Sequence, residues 1–358
     1  MHILSVVGAR PQFIKLAPFS AEARRRGHQE TVVHTGQHYD EGMSARFFSE
    51  LEMPLPTVNL GIGSGSHGQM TARALEGIEA EILSRKPDLV VVFGDTNSTL
   101  AGALAAAKLG LFSAHIEAGL RSFVRAMPEE VNRILADHAC DLLLAPNEGA
   151  MLNLANEGVG AKGRMVGDIM VDSLLYAIAR AEPAADVLRR LGVEPGPFVL
   201  ATVHRASNTD DASKLRAIME GLSGAGTVVF PLHPRTRQAM ARSGLAFPVN
   251  VRVVEPLGYF DILALQQGAR AIATDSGGIQ KEAYLLQTPC LTLRDETEWT
   301  ETVELGWNVL TGADAERIAA ALVRPPRGAT HPPVYGDGHA AAAILDAIES
   351  AIGTLHVG

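Results

Sequence analysis

Short apolar runs recur along this chain, separated by longer stretches in which apolar residues return with helical spacing. The clearest runs cover residues 3–7, 31–34, 89–93, 113–116, 142–145, 198–203, 227–232, 251–254, 271–273 and 289–293, and most are bounded by Gly, Pro, Asp or Thr. Strands that alternate with helices imply parallel sheets covered by helices on both faces. The runs are too numerous for one comfortable open sheet. A break falls near residues 168–197, where a helical stretch meets Pro183 and then the sequence Gly192-Val-Glu-Pro-Gly-Pro. The pattern therefore predicts an α/β protein of two Rossmann-like domains with a central cleft, residues 1–168 and 169–339. The last helical stretch, within 340–358, is expected to pack back on the first domain.

Ligands of open α/β sheets bind beyond the carboxyl ends of the strands. Here those ends carry an unusual polar set. It comprises Gly8-Ala-Arg10-Pro, Thr35-Gly-Gln37-His38, Gly94-Asp95-Thr-Asn-Ser, His115-Ile-Glu117-Ala-Gly, His204-Arg205, His233-Pro-Arg235, Asp275-Ser276 and Arg294-Asp295. Capping alone needs one or two polar residues per strand end, not charged or titratable groups at nearly every one. The most informative stretch is Thr274-Asp-Ser-Gly-Gly-Ile-Gln-Lys-Glu-Ala-Tyr, which follows an apolar run and opens a helical segment. The first amides of a helix lack internal partners, the helix dipole adds positive charge there, and glycines admit a bulky anion. Ser276, Gly277 and Gly278 thus form a candidate phosphate cradle. Glu282 lies further along that helix, placed for a sugar or ribose hydroxyl pair. An ordinary βα turn capped by Ser276 explains the same residues if nothing else is considered.

Composition narrows the function classes. The chain has 358 residues, 47% hydrophobic and 20% charged, with a net charge of -9. That is a globular composition with enough chain for two cores. The negative balance, with no basic stripe carrying aromatics, argues against a nucleic-acid binder. An anionic ligand must then be met by locally placed cations and helix termini. Cys140 and Cys290 are the only cysteines and sit in apolar surroundings, so they read as buried free thiols. The N-terminal residues read as a strand and not a signal peptide. No apolar run approaches the ~18 residues that suggest a membrane span. These features predict a cytoplasmic protein.

Several residues have a structural reading beside a functional one. Arg10 and Lys15 follow the first strand, and Arg10 before Pro11 is positioned for a phosphate or carboxylate, with Arg294 its parallel in the second half. Asp95 resembles a helix cap, yet residues 96–99 (Thr-Asn-Ser-Thr) already provide caps. Glu117 ends an apolar run, where a carboxylate is costly unless paired. Glu129 opens Pro128-Glu-Glu-Val-Asn-Arg as an ordinary helix start, with Arg133 its expected partner one turn on. His204 and Arg205 close a strand, where a His suits acid, base or leaving-group chemistry when carboxylates lie opposite. The run Gly63-Ser-Gly-Ser-His-Gly68 fits a dinucleotide fingerprint only in spelling, because no long apolar strand leads into it. No spacing of metal ligands stands out, and no metal or cofactor is expected.

Taken in order, these motifs resemble the non-hydrolysing UDP-N-acetylglucosamine 2-epimerases over nearly the whole chain. The matching stretches are Gly8-Ala-Arg-Pro-Gln, Thr35-Gly-Gln-His, Gly94-Asp-Thr, His115-Ile-Glu-Ala-Gly-Leu-Arg, Pro128-Glu-Glu-Val-Asn-Arg, His204-Arg, Thr274-Asp-Ser-Gly-Gly-Ile-Gln-Lys-Glu-Ala and Arg294-Asp-Glu-Thr-Glu. The resemblance implies a glycosyltransferase-B-like fold, a homodimer, and UDP held mainly by the second domain. It places Asp95, Glu117, Glu129 and His204 on catalytic positions. Arg10, Ser276, Gly277, Gly278, Glu282 and Arg294 fall on nucleotide-binding positions, and Lys15, Arg133 and Arg205 are counted with them as candidate contacts to the UDP-sugar. The implied reaction is elimination of UDP across C1–C2 to 2-acetamidoglucal, then readdition. It needs a carboxylate on each face of C2 and a cationic cradle for the departing diphosphate. A glycosyltransferase of the same fold, or a silent nucleotide-sugar sensor, are the competing readings.

The chain also departs from familiar members of that family. It has Gln37-His38-Tyr39-Asp40, Gly68 where an allosteric-site Arg is expected, and Trp299-Thr300 in place of Arg-Pro. Gln37, Arg205 and His233 of the allosteric set remain. The combined pattern resembles the branch acting on UDP-2,3-diacetamido-2,3-dideoxy-glucuronate, for whose carboxylate Arg121, Arg125 or Arg205 are candidate partners. With Asp40 and Gly68 in the pocket, hyperbolic kinetics without activation by UDP-N-acetylglucosamine are expected.

Overall fold

The structure, a computed structural model, describes residues 1–36 and 56–355. Gln37, His38, Tyr39 and Asp40 lie outside the described residues, and so does the side chain of Arg10. The chain forms two compact units: residues up to Tyr176 together with those from Pro333 onward, and Ala177–Pro332.

In the first unit the described strands are β1 (His2–Val7), β2 (Gln29–His34), β3 (Val58–Asn59), β4 (Leu89–Phe93), β5 (Ser113–Ile116), β6 (Leu142–Ala145) and β7 (Gly163–Met165). They pair in parallel in the order β3-β2-β1-β4-β5-β6-β7. The second unit holds β8 (Phe198–Thr202), β9 (Thr227–Pro231), β10 (Val251–Val254), β11 (Ala271–Thr274), β12 (Cys290–Thr292) and β13 (Asn308–Leu310). Their parallel order, β10-β9-β8-β11-β12-β13, repeats the same winding. Each sheet therefore has a switch point where the strand order reverses, between β1 and β4 and between β8 and β11. That is where a doubly wound sheet opens a ligand crevice.

All ten apolar runs are strands. The strands that the pattern missed are β3, β7 and β13, each at a sheet edge and only two or three residues long. An edge strand has one neighbour and little buried face, so its hydrophobic signal is weak. Central strands are buried on both sides, as the fully buried Leu89–Phe93 shows.

The helix Asn97–Leu109 buries Ala101, Ala103, Ala105 and Ala106 fully in the core of the first unit. A Cβ at Gly102 would lie 2.8 Å from Val92, so the helix sits against the strand with no room for a larger side chain. This packing fixes where the turn before the helix, residues 94–96, projects.

The sequence pattern put a boundary at 168/169, but the helix Ile169–Ile178 largely belongs to the first unit. The reason is bonding to residues distant in sequence. Ser173 Oγ donates to the Ile14 carbonyl at 2.8 Å, and the Asp172 carboxylate accepts the Ala340 and Ala341 amides at 3.1 and 2.9 Å. Asp172 so satisfies the start of the helix Ala340–Leu355. The chain returns to the first unit at Pro333, earlier than 340. Arg26 ties that last helix down through Asp346 at 2.7 Å and Glu349 at 2.9 Å, and His28 also meets Glu349 at 2.8 Å. Among the described residues no helix is long and apolar enough to cross a membrane.

Candidate functional site

At the first switch point, Gln12 closes the turn after β1. Its side-chain oxygen accepts the Gly8 and Ala9 amides at 2.7 and 3.0 Å, while its nitrogen donates to the Phe93 carbonyl at 2.7 Å. These amides are therefore occupied within the protein, unlike the free amides of an anion-binding turn. Arg10 opens the helix Arg10–Arg25 immediately beyond.

Asp95 stands beyond β4 and is not the helix cap. Thr96 takes that role, its hydroxyl accepting the Thr99 amide. The Asp95 carboxylate instead meets Arg133 at 2.5 Å, and Asn132 donates to the Asp95 carbonyl at 3.0 Å. Arg133 also pairs with Glu130 at 2.9 Å. This corrects the sequence expectation that Glu129 is its partner. Glu130 is the buried acid here, accepting the Ser122 and Phe123 amides at 2.9 Å each, and its pKa is held down. Burial opposes that shift, and the two amides with Arg133 outweigh it. Glu129 is exposed, with no ion pair among the described residues.

Glu117 follows β5 in the left-handed region, with φ 74°. For a non-glycine residue this costs on the order of 1 kcal/mol or more and marks a position held by its surroundings. The Glu117 carboxylate is paired with Lys15, itself buried on the helix after β1. Lys15 is thus placed on the catalytic candidate and not as a free cation. Asp95 and Glu117 leave adjacent strands, and each faces a cation supplied by a helix. Arg121 is a further correction. Its side chain is 1% exposed and committed to Asp137 and Glu157 at 2.7 Å, which removes it as a partner for a substrate carboxylate. Arg125 is exposed.

In the second unit, Asp275 spans the switch point as Gln12 does in the first. Fully buried, it accepts the His204 and Arg205 amides at 3.0 and 2.9 Å and the Asn208 side chain at 3.1 Å. The His204 ring lies 3.3 Å from Asp275 and 5.4 Å from the His233 ring centre to centre. Burial lowers the His204 pKa, with His233 and Arg205 adding to it and Asp275 opposing. At neutral pH the ring is therefore uncharged in the free protein, a hydrogen-bonding group and not a standing cation.

Ser276 caps the helix Gly277–Leu285, its hydroxyl 3.5 Å from the Ile279 amide. A Cβ at Gly277 would meet Glu298 Oε1 at 2.3 Å, whereas one at Gly278 would touch only Ser276 Oγ at 4.0 Å. Glu298 bonds Arg294 at 2.8 Å and lies 3.8 Å from Arg205. A carboxylate of the chain thus rests at the helix start between two arginines, the environment that suits a phosphate. Glu282 accepts from Gln266 at 2.7 Å, which orients its carboxylate. Both cysteines are buried free thiols, with burial pushing each pKa up to about 12. No group of residues with metal-holding geometry occurs among the described ones.

Sequence reasoning missed Gln12, Glu130, Asp137 and Glu298. Glu130 and Asp137 lie on the amphipathic helix Pro128–Ala139, where a buried acid and a solvated one read alike. Only their full burial distinguishes them.

Residues 21–349 match the family model for UDP-N-acetylglucosamine 2-epimerase. A UDP-2,3-diacetamido-2,3-dideoxy-D-glucuronate 2-epimerase from Pseudomonas aeruginosa is 47% identical, over 97% of this chain and 99% of that protein. A UDP-N-acetylglucosamine 2-epimerase from Methanocaldococcus jannaschii is 42% identical, over 90% of this chain and 91% of its own. A crystal structure of a UDP-GlcNAc 2-epimerase from the same organism, in complex with UDP-GlcNAc and UDP, superposes with a TM-score of 0.83 at 40% identity, covering 98% of this chain and all of that one. The two doubly wound α/β units and these matches agree: the chain belongs to the UDP-N-acetylglucosamine 2-epimerase family, a family of isomerases.

Proposed function

We propose that this chain inverts C2 of a UDP-N-acetylhexosamine, converting UDP-N-acetylglucosamine to UDP-N-acetylmannosamine without hydrolysis. The observation that carries the reading is the pair Asp95 and Glu117, at the ends of neighbouring strands and each held against a cation. One carboxylate removes the C2 proton. The C–H electrons form the C1=C2 bond as the C1–O bond breaks, and the departing diphosphate oxygen takes that pair. A proton then returns to the other face of C2 while UDP re-adds at C1. Glu129 completes the acid set, and Arg133 and Lys15 orient Asp95 and Glu117. The Ser276, Gly277 and Gly278 amides receive the diphosphate with Arg10, Arg205 and Arg294, His204 donates to it as charge develops, and Glu282 binds the ribose. The protein acts in the cytoplasm as a homodimer.

Incubation with UDP-N-acetylglucosamine in heavy water tests the reaction. Deuterium at C2 of both epimers is the expected result. Product without C2 label, or transfer of the sugar to an acceptor, sinks it. A second substrate has equal support: identity is 47% both to the diacetamido-glucuronate enzyme and to a UDP-N-acetylglucosamine 2-epimerase homolog from Methanococcus maripaludis. Arg125 and Arg205 are then the cations for the uronate. Parallel assays of both sugars decide, and sigmoidal dependence on UDP-N-acetylglucosamine, with no turnover of the uronate, would overturn this alternative and the expectation of simple kinetics.

A further inference from the structure

The turns that carry Asp95 and Glu117 share one buried support. His115, on β5, is fully buried, and both of its ring nitrogens face acceptors. Its Nε2 lies 2.7 Å from the carbonyl of Gly94, the residue immediately before Asp95. Its Nδ1 lies 2.7 Å from Asp137 Oδ1, and Asp137 is also fully buried. The other Asp137 oxygen accepts the Gly119 amide at 3.0 Å and the Arg121 guanidinium at 2.7 Å. Two side chains thus bond the backbone on either side of the acids: at Gly94 before Asp95, and at Gly119 after Glu117.

The donor pattern sets the charge. A peptide carbonyl only accepts, so Nε2 carries hydrogen. Asp137 already receives a guanidinium and an amide N–H, which stabilise its ionised form. An ionised Asp137 leaves Nδ1 as a donor too, so the ring holds both protons. Burial opposes that charge, and Asp137 with the Gly94 carbonyl and Glu117 outweighs it, so the His115 pKa is raised. Asp137 and Glu117 are the charged groups facing the ring, with Arg121 and Lys15 behind them. Fully buried ion pairs are a poor source of stability compared with apolar residues of equal volume. Their bonds here are spent instead on backbone groups next to the reacting side chains, one of which sits in a strained conformation.

We propose that His115, held as an imidazolium by Asp137, is a positioning residue that sets the Asp95 and Glu117 turns for proton transfer at C2. The proposal rests on the reading of those acids as the groups that act on C2.

The test combines variants with a measurement on the wild-type protein. His115→Gln retains an amide that reaches a carbonyl but cannot bridge both acceptors as a cation. It should lower kcat about 10²-fold, the scale of an ångström-level misplacement. KM and the Kd for UDP should stay within about twofold, because the nucleotide cradle lies in the other unit. A merely structural role predicts normal kcat per UDP-binding site with a smaller folded fraction, and that result overturns the proposal. In the wild-type protein, ¹⁵N spectra of labelled histidine should show both His115 nitrogens protonated from pH 6 to 8, and a neutral ring overturns it whether or not the variant folds. Asp95→Asn and Glu117→Gln serve as controls. If both turn over normally, the assignment of the acids has failed; if both are dead while His115→Gln is normal, the positioning role alone has failed.

Discussion

Adding one methyl group at Gly277 separates ligand recognition from folding at the helix start. In Gly277→Ala the new Cβ would lie 2.3 Å from Glu298 Oε1, about an ångström inside ordinary contact. The obstructing atom is the end of a side chain 45% exposed, so it can swing away, giving up its 2.8 Å bond to Arg294. An exposed ion pair of this kind contributes about 0–1 kcal/mol. At this first helical position the gain from replacing Gly by Ala is smaller than the ~0.5–1 kcal/mol of a helix interior, so the net change in stability stays within about 1 kcal/mol. A diphosphate has no such freedom, because the methyl occupies the approach to the helix amides. Losing one charge-assisted hydrogen bond of about 1.5–3 kcal/mol raises the UDP Kd roughly 10–100-fold. Titration calorimetry with UDP, beside thermal unfolding, measures both. The partner variant Gly278→Ala meets only Ser276 Oγ at 4.0 Å, so any affinity it loses reports the ligand alone. An unchanged UDP Kd in Gly277→Ala, with Tm within about 3 °C of wild type, would refute the cradle.

Asp95→Asn and Glu117→Gln should each abolish C2 deuterium exchange while UDP still binds; retained turnover would make these acids structural partners of Arg133 and Lys15. His204→Ala should slow release of UDP from the sugar, read as a lower kcat with little change in Kd, since a donor to the developing diphosphate charge is lost. A wild-type kcat would remove His204 from the chemistry. His34 is fully buried beside Phe13, ring centres 5.0 Å apart, and burial pushes its pKa down to about 4. Above pH 6.5 it is neutral folded or unfolded. As pH falls toward 4 the unfolded chain takes the proton first, so stability drops, by about 2 kcal/mol between pH 7 and 5. Urea midpoints of His34→Gln should lack that part of the decline, and an identical pH dependence would count against it.

Strand number and type were largely legible in the sequence because buried parallel strands are continuous apolar runs, and the winding leaves few alternatives. The missed strands are edges, where burial is partial. The helix start at Ser276 was legible because capping and glycine placement are local. The carboxylates Asp95 and Glu117 stood out because a charge ending an apolar run has no local reason. What tertiary structure decided is partnership. Arg133 chose Asp95 and Glu130 over Glu129, Lys15 turned onto Glu117, and Arg121 was drawn into the core by Asp137 and Glu157. The helix 169–178 joined the first unit through Asp172 and Ser173, bonds to residues far away in sequence. Periodicity records how much of a residue is buried on average along an element. It does not record which distant charge waits there, because that depends on which strand ends the sheet order brings side by side.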